Sequence, residues 1–141
     1  MSEKLHLELV TPHRVLLEEQ VDSVTLPGTE GELGILPQHV PLLTTLDTGI
    51  LSYSFNGEKN TVAVHWGYAQ VEGDRVRVLA ELAEISSEID LPRAKEAEKK
   101  AKENLSSIIH SDDWSAEENR QKKYESKLKR SIVRQTVAQY R

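Results

Sequence analysis

Hydrophobic residues alternate with polar ones through the first ninety positions and recur at helical spacing through the rest. Leu5, Leu7 and Leu9 alternate with His6 and Glu8, the period of a half-buried strand. Val15-Leu16-Leu17 and the stretch 21–26 follow after short polar breaks, each reading as a further strand. Residues 50–55 run into Asn56-Gly57, a two-residue hairpin signal because both positions of a type I′ turn need positive φ. Residues 61–64 return the chain. A second hairpin is expected from 68–72, the turn Gly73-Asp74, and 75–79. Strands at about ten-residue spacing predict an antiparallel β-sandwich or flattened barrel.

The pattern changes at Ile89. From there to the end the chain holds no glycine, and its only proline is Pro92. Asp90 can cap a helix, and Pro92 fits a first turn where its missing N–H is not needed. Ala94, Ala97, Ala101, Leu105 and Ile108 form a narrow apolar seam at three- and four-residue steps. The polar run 110–113 breaks the helix, and 115–118 has the form of a capping box opening a second one. Tyr124, Leu128, Ile132 and Tyr140, with Val133 and Val137, are expected on its apolar face. The domain boundaries follow: a β domain over 1–88 and an antiparallel two-helix hairpin over 89–141. An alanine seam buries little area, so the hairpin is expected to be marginal alone and able to move.

Charge sharpens this division. The net charge of −5 conceals five Lys/Arg against fifteen Asp/Glu in residues 1–90, and eight against three in 114–141. The basic end favours an acidic partner, or docks on its own acidic domain. Tyr124 and Tyr140 do not interleave with the lysines, so nucleic acid is not the expected partner. The absence of cysteine removes thiolate chemistry and disulfides. The five histidines show no i,i+4 pair and no carboxylates spaced as a metal set, so no metal site is expected. No P-loop or nucleophile elbow is present, and the chain reads as a non-enzyme. The N-terminus carries no apolar signal region, so export is not expected.

One stretch, 29–43, reads physically as a rigid surface loop presenting Glu32 and His39 beside Leu36, Val40 and Leu42. Its Gly-Glu-Leu-Gly-Ile-x-Pro-x-His-x-Pro-Leu-Leu pattern closely resembles the signature of the ε subunit of bacterial-type F-type ATP synthases. Residues 76–80 and Ile89-Asp90-Leu91-Pro92-Arg93-Ala94, similar to the family's I-D-x-x-R-A motif, extend the resemblance over essentially the whole chain. It implies a non-catalytic subunit on the rotor stalk, peripheral to the cytoplasmic face of the bacterial inner membrane and not inserted in it. The implied partners are the γ subunit, the c-subunit ring, which the Glu32 and His39 loop would face, and the catalytic α/β subunits.

The resemblance also implies a mobile hairpin that restrains ATP hydrolysis when extended, with Lys122, Lys123, Lys127, Lys129, Arg130 and Arg134 meeting the catalytic subunits. Some family members bind regulatory ATP on the folded hairpin, and Glu84, Asp90, Arg93, Ala94, Arg130 and Arg134 match that pattern. Lys100 stands where nucleotide-binding relatives carry arginine, and supplies charge without the bidentate fork. The blander alternative gives Asp90 to a helix cap and the arginines to Glu84, Glu96 or solvent. A stand-alone nucleotide sensor and an adaptor for another acidic partner are the competing functions. His65-Trp66-Gly67 departs from the family's small Ser-Gly-Gly, which reads as a local packing change or an altered partner contact.

Overall fold

The computed structural model describes the backbone of residues 3–108 and 114–140, and the side chains of 3–108 and 118–140. The expected break at 110–113 and the side chains of the expected capping box up to 117 lie outside these. The chain forms β1 (Leu5–Val10), β2 (Val15–Val21), β3 (Ser23–Gly28), β4 (Gly31–Ile35), β5 (Leu42–Leu46), β6 (Gly49–Phe55), β7 (Glu58–Glu72) and β8 (Arg75–Ile85). A 3₁₀ turn, Ser86–Glu88, leads to α1 (Leu91–Ile108) and α2 (Trp114–Gln139). Among the described residues no helix is long and apolar enough to cross a membrane.

The strands run β2-β1-β8-β7-β5-β3-β4 in one ladder, with β6 joined to β3 and β7, and the ladder folds over into a sandwich. All the pairings are antiparallel except β1 with β8. Leu5, Leu7 and Leu9 are fully buried, as their alternation requires, and meet Val76, Val78, Leu26, Leu46 and Leu51 in the core. Each such leucine contributes about 1.5–3 kcal/mol. Asn56 and Gly57 take φ of 51° and 80°, closing the β6–β7 hairpin as its sequence predicts.

Two expectations change. The stretch 29–43 is not all loop: Leu33 and Ile35 alternate with Glu32 and Gly34, and β4 pairs with β3 to bury Ile35. Residues 29–30 make the turn between β3 and β4, and 36–41 remain irregular. Likewise the two segments 61–64 and 68–72 are one strand, β7, bent at Trp66 (φ 64°). Before the bend β7 pairs with β6, and after it with β5. Val62 and Val64 face the core on one side of the bend, Ala69 and Val71 on the other, so the inward parity switches there. β8 switches in step, from Val76, Val78 and Ala80 to Ala83. The two strands thus turn the sandwich corner together.

The hairpin packs on itself and on the sandwich. Ala94, Ala101 and Ile108 are buried along α1, and Ser131, Val133 and Val137 along α2. Val133 and Val137 rest on Ala63 of β7 with Ile50 and Ile89 beside them. Ile132 and Tyr140, expected on this face, are exposed instead. A strict four-residue series drifts by about 40° per step on a helix of 3.6 residues per turn, so 124, 128, 132 and 140 cannot share one stripe.

Candidate functional site

Because α1 lines its seam with alanines, α1 and α2 leave a cleft of about 580 Å³ beside the end of β8. All seven candidate residues line it: Glu84 from β8, Asp90, Arg93, Ala94 and Lys100 at the start of and along α1, and Arg130 and Arg134 from α2. Residues some fifty positions apart in sequence therefore converge. Ala97, Ala101, Asn104, Tyr124 and Lys127 complete much of the wall. Asn104 escaped the sequence reading, although Arg93, Ala97, Lys100 and Asn104 step by four, three and four residues and share a helix face. Glu88, also in the wall, carries no such signal.

Every carboxylate in the cleft is engaged. Asp90 Oδ1 accepts the Arg93 backbone N–H at 3.1 Å and caps α1, the role expected of it. Glu88 pairs with Arg14 at 2.6 Å and accepts the Ile85 N–H. Glu84 Oε1 takes Nε of Arg134 at 2.7 Å and lies 3.0 Å from His65 Nε2. Partial burial pushes the Glu84 carboxyl up, but hydrogen bonds from His65 and Arg134 with their charges win and hold it at about 2.

The cations are less well matched. Lys100 pairs with Glu96 at 3.3 Å, one turn back, and Lys127 lies 5.6 Å from the Tyr124 ring centroid. Arg93 and Arg130 make no ion pair or side-chain hydrogen bond among the described residues. Two unopposed guanidinium groups in a cleft whose acids are already paired suit a multiply charged anion, since each presents a planar fork of donors. Ile89, Ala94, Ala97 and the Tyr124 ring supply apolar wall beside them.

The six basic residues of α2 do not form one face. Lys129 Nζ reaches Asp47 Oδ2 of the β5–β6 turn at 2.5 Å, and the Asp47 carboxyl is lowered by that hydrogen bond. Lys129 and Arg134 thus clamp α2 to the acidic sandwich, the self-docking alternative at two points. Lys127 and Arg130 line the cleft, while Lys122 and Lys123 are exposed, the former 3.6 Å from Glu118. Glu32 and His39 are not neighbours along the chain's fold either. Glu32 stands near the start of β4 and His39 past its far end, where Gln38 N–H binds Asp74 and His39 N–H binds Leu36 O. Leu36, Val40 and Leu43 around His39 are strongly exposed. Trp66, for which a packing change and an altered partner contact are both open, is half exposed and meets Tyr68 edge-on at 5.6 Å between centroids.

The family model for the ATP synthase delta/epsilon chain β-sandwich domain matches residues 4–86. An ATP synthase epsilon chain of Geotalea uraniireducens is 46% identical over 138 residues, 98% of this chain and 96% of the relative. Another, from Carboxydothermus hydrogenoformans, is 50% identical over 105 residues, 74% and 78% of the two chains. Among solved structures, a chain of the Euglena gracilis mitochondrial ATP synthase assembly of OSCP, F1 and c-ring superposes with a TM-score of 0.76 at 25% identity. That match covers 92% of this chain and 78% of that one. A central stalk and c-ring structure from Tetrahymena thermophila shares the fold at a TM-score of 0.61. By sequence over nearly its whole length, and by fold, the chain belongs to the ATP synthase epsilon chain family, the epsilon subunits of the central stalk of F-type ATP synthase.

Proposed function

We propose that this subunit joins the γ subunit to the c ring through its sandwich and restrains ATP hydrolysis through its hairpin. ATP bound in the cleft would hold the hairpin in the docked position. The carrying observation is the cleft itself: it unites residues of the sandwich, α1 and α2, and offers Arg93 and Arg130, which have no ion-pair partner among the described residues. A ligand touching all three elements favours the docked state over any in which α2 has left, and shifts the population by its differential affinity. Phosphates suit the arginines, and the apolar wall of Ile89, Ala94 and Ala97 suits a base.

Titrating ATP into the full chain by calorimetry tests this. Saturable binding is expected, weakened at least tenfold in Arg93→Ala and in Arg130→Ala, because each loses a charge-assisted pair. Indistinguishable, non-saturating traces for all three proteins would remove ATP from the proposal. Lys100→Arg should tighten binding, since a fork replaces a point charge.

Release of α2 would free Lys129 and Arg134 to join Lys122, Lys123, Lys127 and Arg130 against acidic surface on the catalytic α/β subunits. The exposed Leu36, Val40 and Leu43 beside His39, and the cross-strand pair Tyr68 and Leu79, are apolar surfaces suited to the c ring and γ. The subunit would then be peripheral to the cytoplasmic face of the bacterial inner membrane. Deleting residues after Ser87 should leave the complex assembled and raise its ATP hydrolysis. Unchanged hydrolysis would argue against restraint by the hairpin, and lost assembly would make the helices structural.

A further inference from the structure

Outside the cleft, strand pairing assembles a group that no spacing in the sequence reveals. β1 and β2 pair with His6 opposite Gln20 and Glu8 opposite Glu18. Leu5, Leu7 and Leu9 point into the core, so His6 and Glu8 share the outer face of β1. Ligand atoms of His6, Glu8 and Glu18 all lie within 4.8 Å of one another, and His6 Nε2 is 3.1 Å from Glu18 Oε1. We propose that His6, Glu8 and Glu18 bind a zinc ion, with water in the fourth position.

The donor set selects the metal. One imidazole and two carboxylates suit a borderline cation such as Zn²⁺, whereas Mg²⁺ and Ca²⁺ favour all-oxygen shells. In a tetrahedral shell with bonds of about 2.1 Å, ligand atoms stand roughly 3.4 Å apart. The present spacing closes to that by side-chain rotation alone, as His6 and Glu8 are held on one strand and Glu18 on its hydrogen-bonded neighbour.

A metal-binding histidine needs an acceptor for its other ring N–H. Gln20 is placed to supply it once its amide is turned over: the amide nitrogen Nε2 lies 3.0 Å from His6 Nδ1, and a flip puts Oε1 in its place. With the amide oxygen turned to Nδ1–H, His6 Nε2 is left bare towards the two carboxylates. Two cations of β8 flank the group: Arg75 stands opposite His6 in the register and Arg77 opposite Glu8, with Arg77 Nε 3.9 Å from the Glu8 carboxylate, a loose pair that a divalent ion would displace. β2 is an edge strand, paired with β1 and no other in the ladder. The ion would therefore cross-link the sandwich edge where the main chain holds it from one side only.

The test is Zn²⁺ titration of the metal-stripped full chain by calorimetry, with thermal melts read in parallel. One equivalent should bind with micromolar affinity and raise the melting temperature. His6→Ala and Glu18→Gln should each weaken binding at least tenfold, Gln20→Leu by a smaller factor, and His13→Ala not at all. Mg²⁺ at the same concentrations should produce no shift. No saturable Zn²⁺ binding would overturn the site. So would binding equally strong in His6→Ala and Glu18→Gln, which would place the ion on other surface histidines. A variant that melts early without metal still reports, because the zinc-induced shift is measured against its own metal-free melt.

Discussion

Gly67→Ala should collapse the stability of the sandwich. A β-carbon on Gly67 would sit 2.1 Å from the Leu79 carbonyl oxygen and 2.9 Å from the Ala80 α-carbon, both backbone atoms of the paired strand. Neither can swing away as a side chain would. Relief requires β7 and β8 to part at the bend, where Gly67 pairs with Ala80 and, on its other side, with Leu46. The cost should reach or pass the upper end of the about 1–3 kcal/mol typical of overpacking. Against a net stability of about 5–15 kcal/mol that is a large share. Urea denaturation followed by circular dichroism should show a much lower midpoint, or no cooperative transition. An unaltered midpoint would mean that β7 and β8 can separate at the bend without penalty.

The second large effect is at Glu84, where the docked hairpin should loosen in acid. The Glu84 carboxyl, held at about 2 in the folded chain, ordinarily titrates near 4.5. A depressed carboxyl contributes stability that is fully present above its ordinary range and lost as pH falls towards the folded value. The window therefore runs from about pH 5 down to about pH 2. Full linkage to folding would give roughly 3 kcal/mol, but His65 stays beside Glu84 on the sandwich when α2 leaves and Glu84 keeps partial solvent contact, so the share that bears on docking is about 1 kcal/mol. That corresponds to roughly a fivefold change in the ratio of docked to released hairpin.

Since the chain has no cysteine, one introduced on α2 and one on the sandwich can carry spin labels without background. The interlabel distance should lengthen across this window in the parent chain. Glu84→Gln should be more often released than the parent at neutral pH, because His65 and Arg134 lose their shared carboxylate. Part of the remaining acid sensitivity should come from Asp47, which holds Lys129, and should shrink with Asp47→Asn added. Identical distance distributions for the parent and Glu84→Gln at every pH would show that this contact does not hold α2 down.

The parts of the fold set by local chemistry were legible from the sequence. The leucine alternation of β1, the Asn56-Gly57 turn, the Asp90 cap and the alanine seam each act over a few residues. β4 was missed because glycines on both sides of Leu33 mimic loop composition, while burial of Ile35 depends on β3 some ten residues earlier. In the sequence the bend in β7 looks like a gap, since a parity change at Trp66 resembles two strands until a second strand is seen to change with it. Of the site, seven residues of the cleft could be named, but Glu88 and Asn104 could not, and neither could the pairing. That Glu84 belongs to both His65 and Arg134, and that Lys129 reaches Asp47, depends on where α2 comes to rest. His6, Glu8 and Glu18 meet only through the register of two strands.

The alanines of α1 carry one more consequence. With Ala94 and Ala101 buried at the helix contact, α1 adds little to what Val133 and Val137 contribute on Ala63, and the resting occupancy of the docked state becomes a finely graded quantity. Each methylene added to or removed from that contact is worth about 0.8 kcal/mol, roughly a fourfold step in occupancy. A lineage can therefore retune how often the hairpin is down by single conservative exchanges along one helix face. The sandwich that anchors the subunit, and the arginines of the cleft, need not change at all.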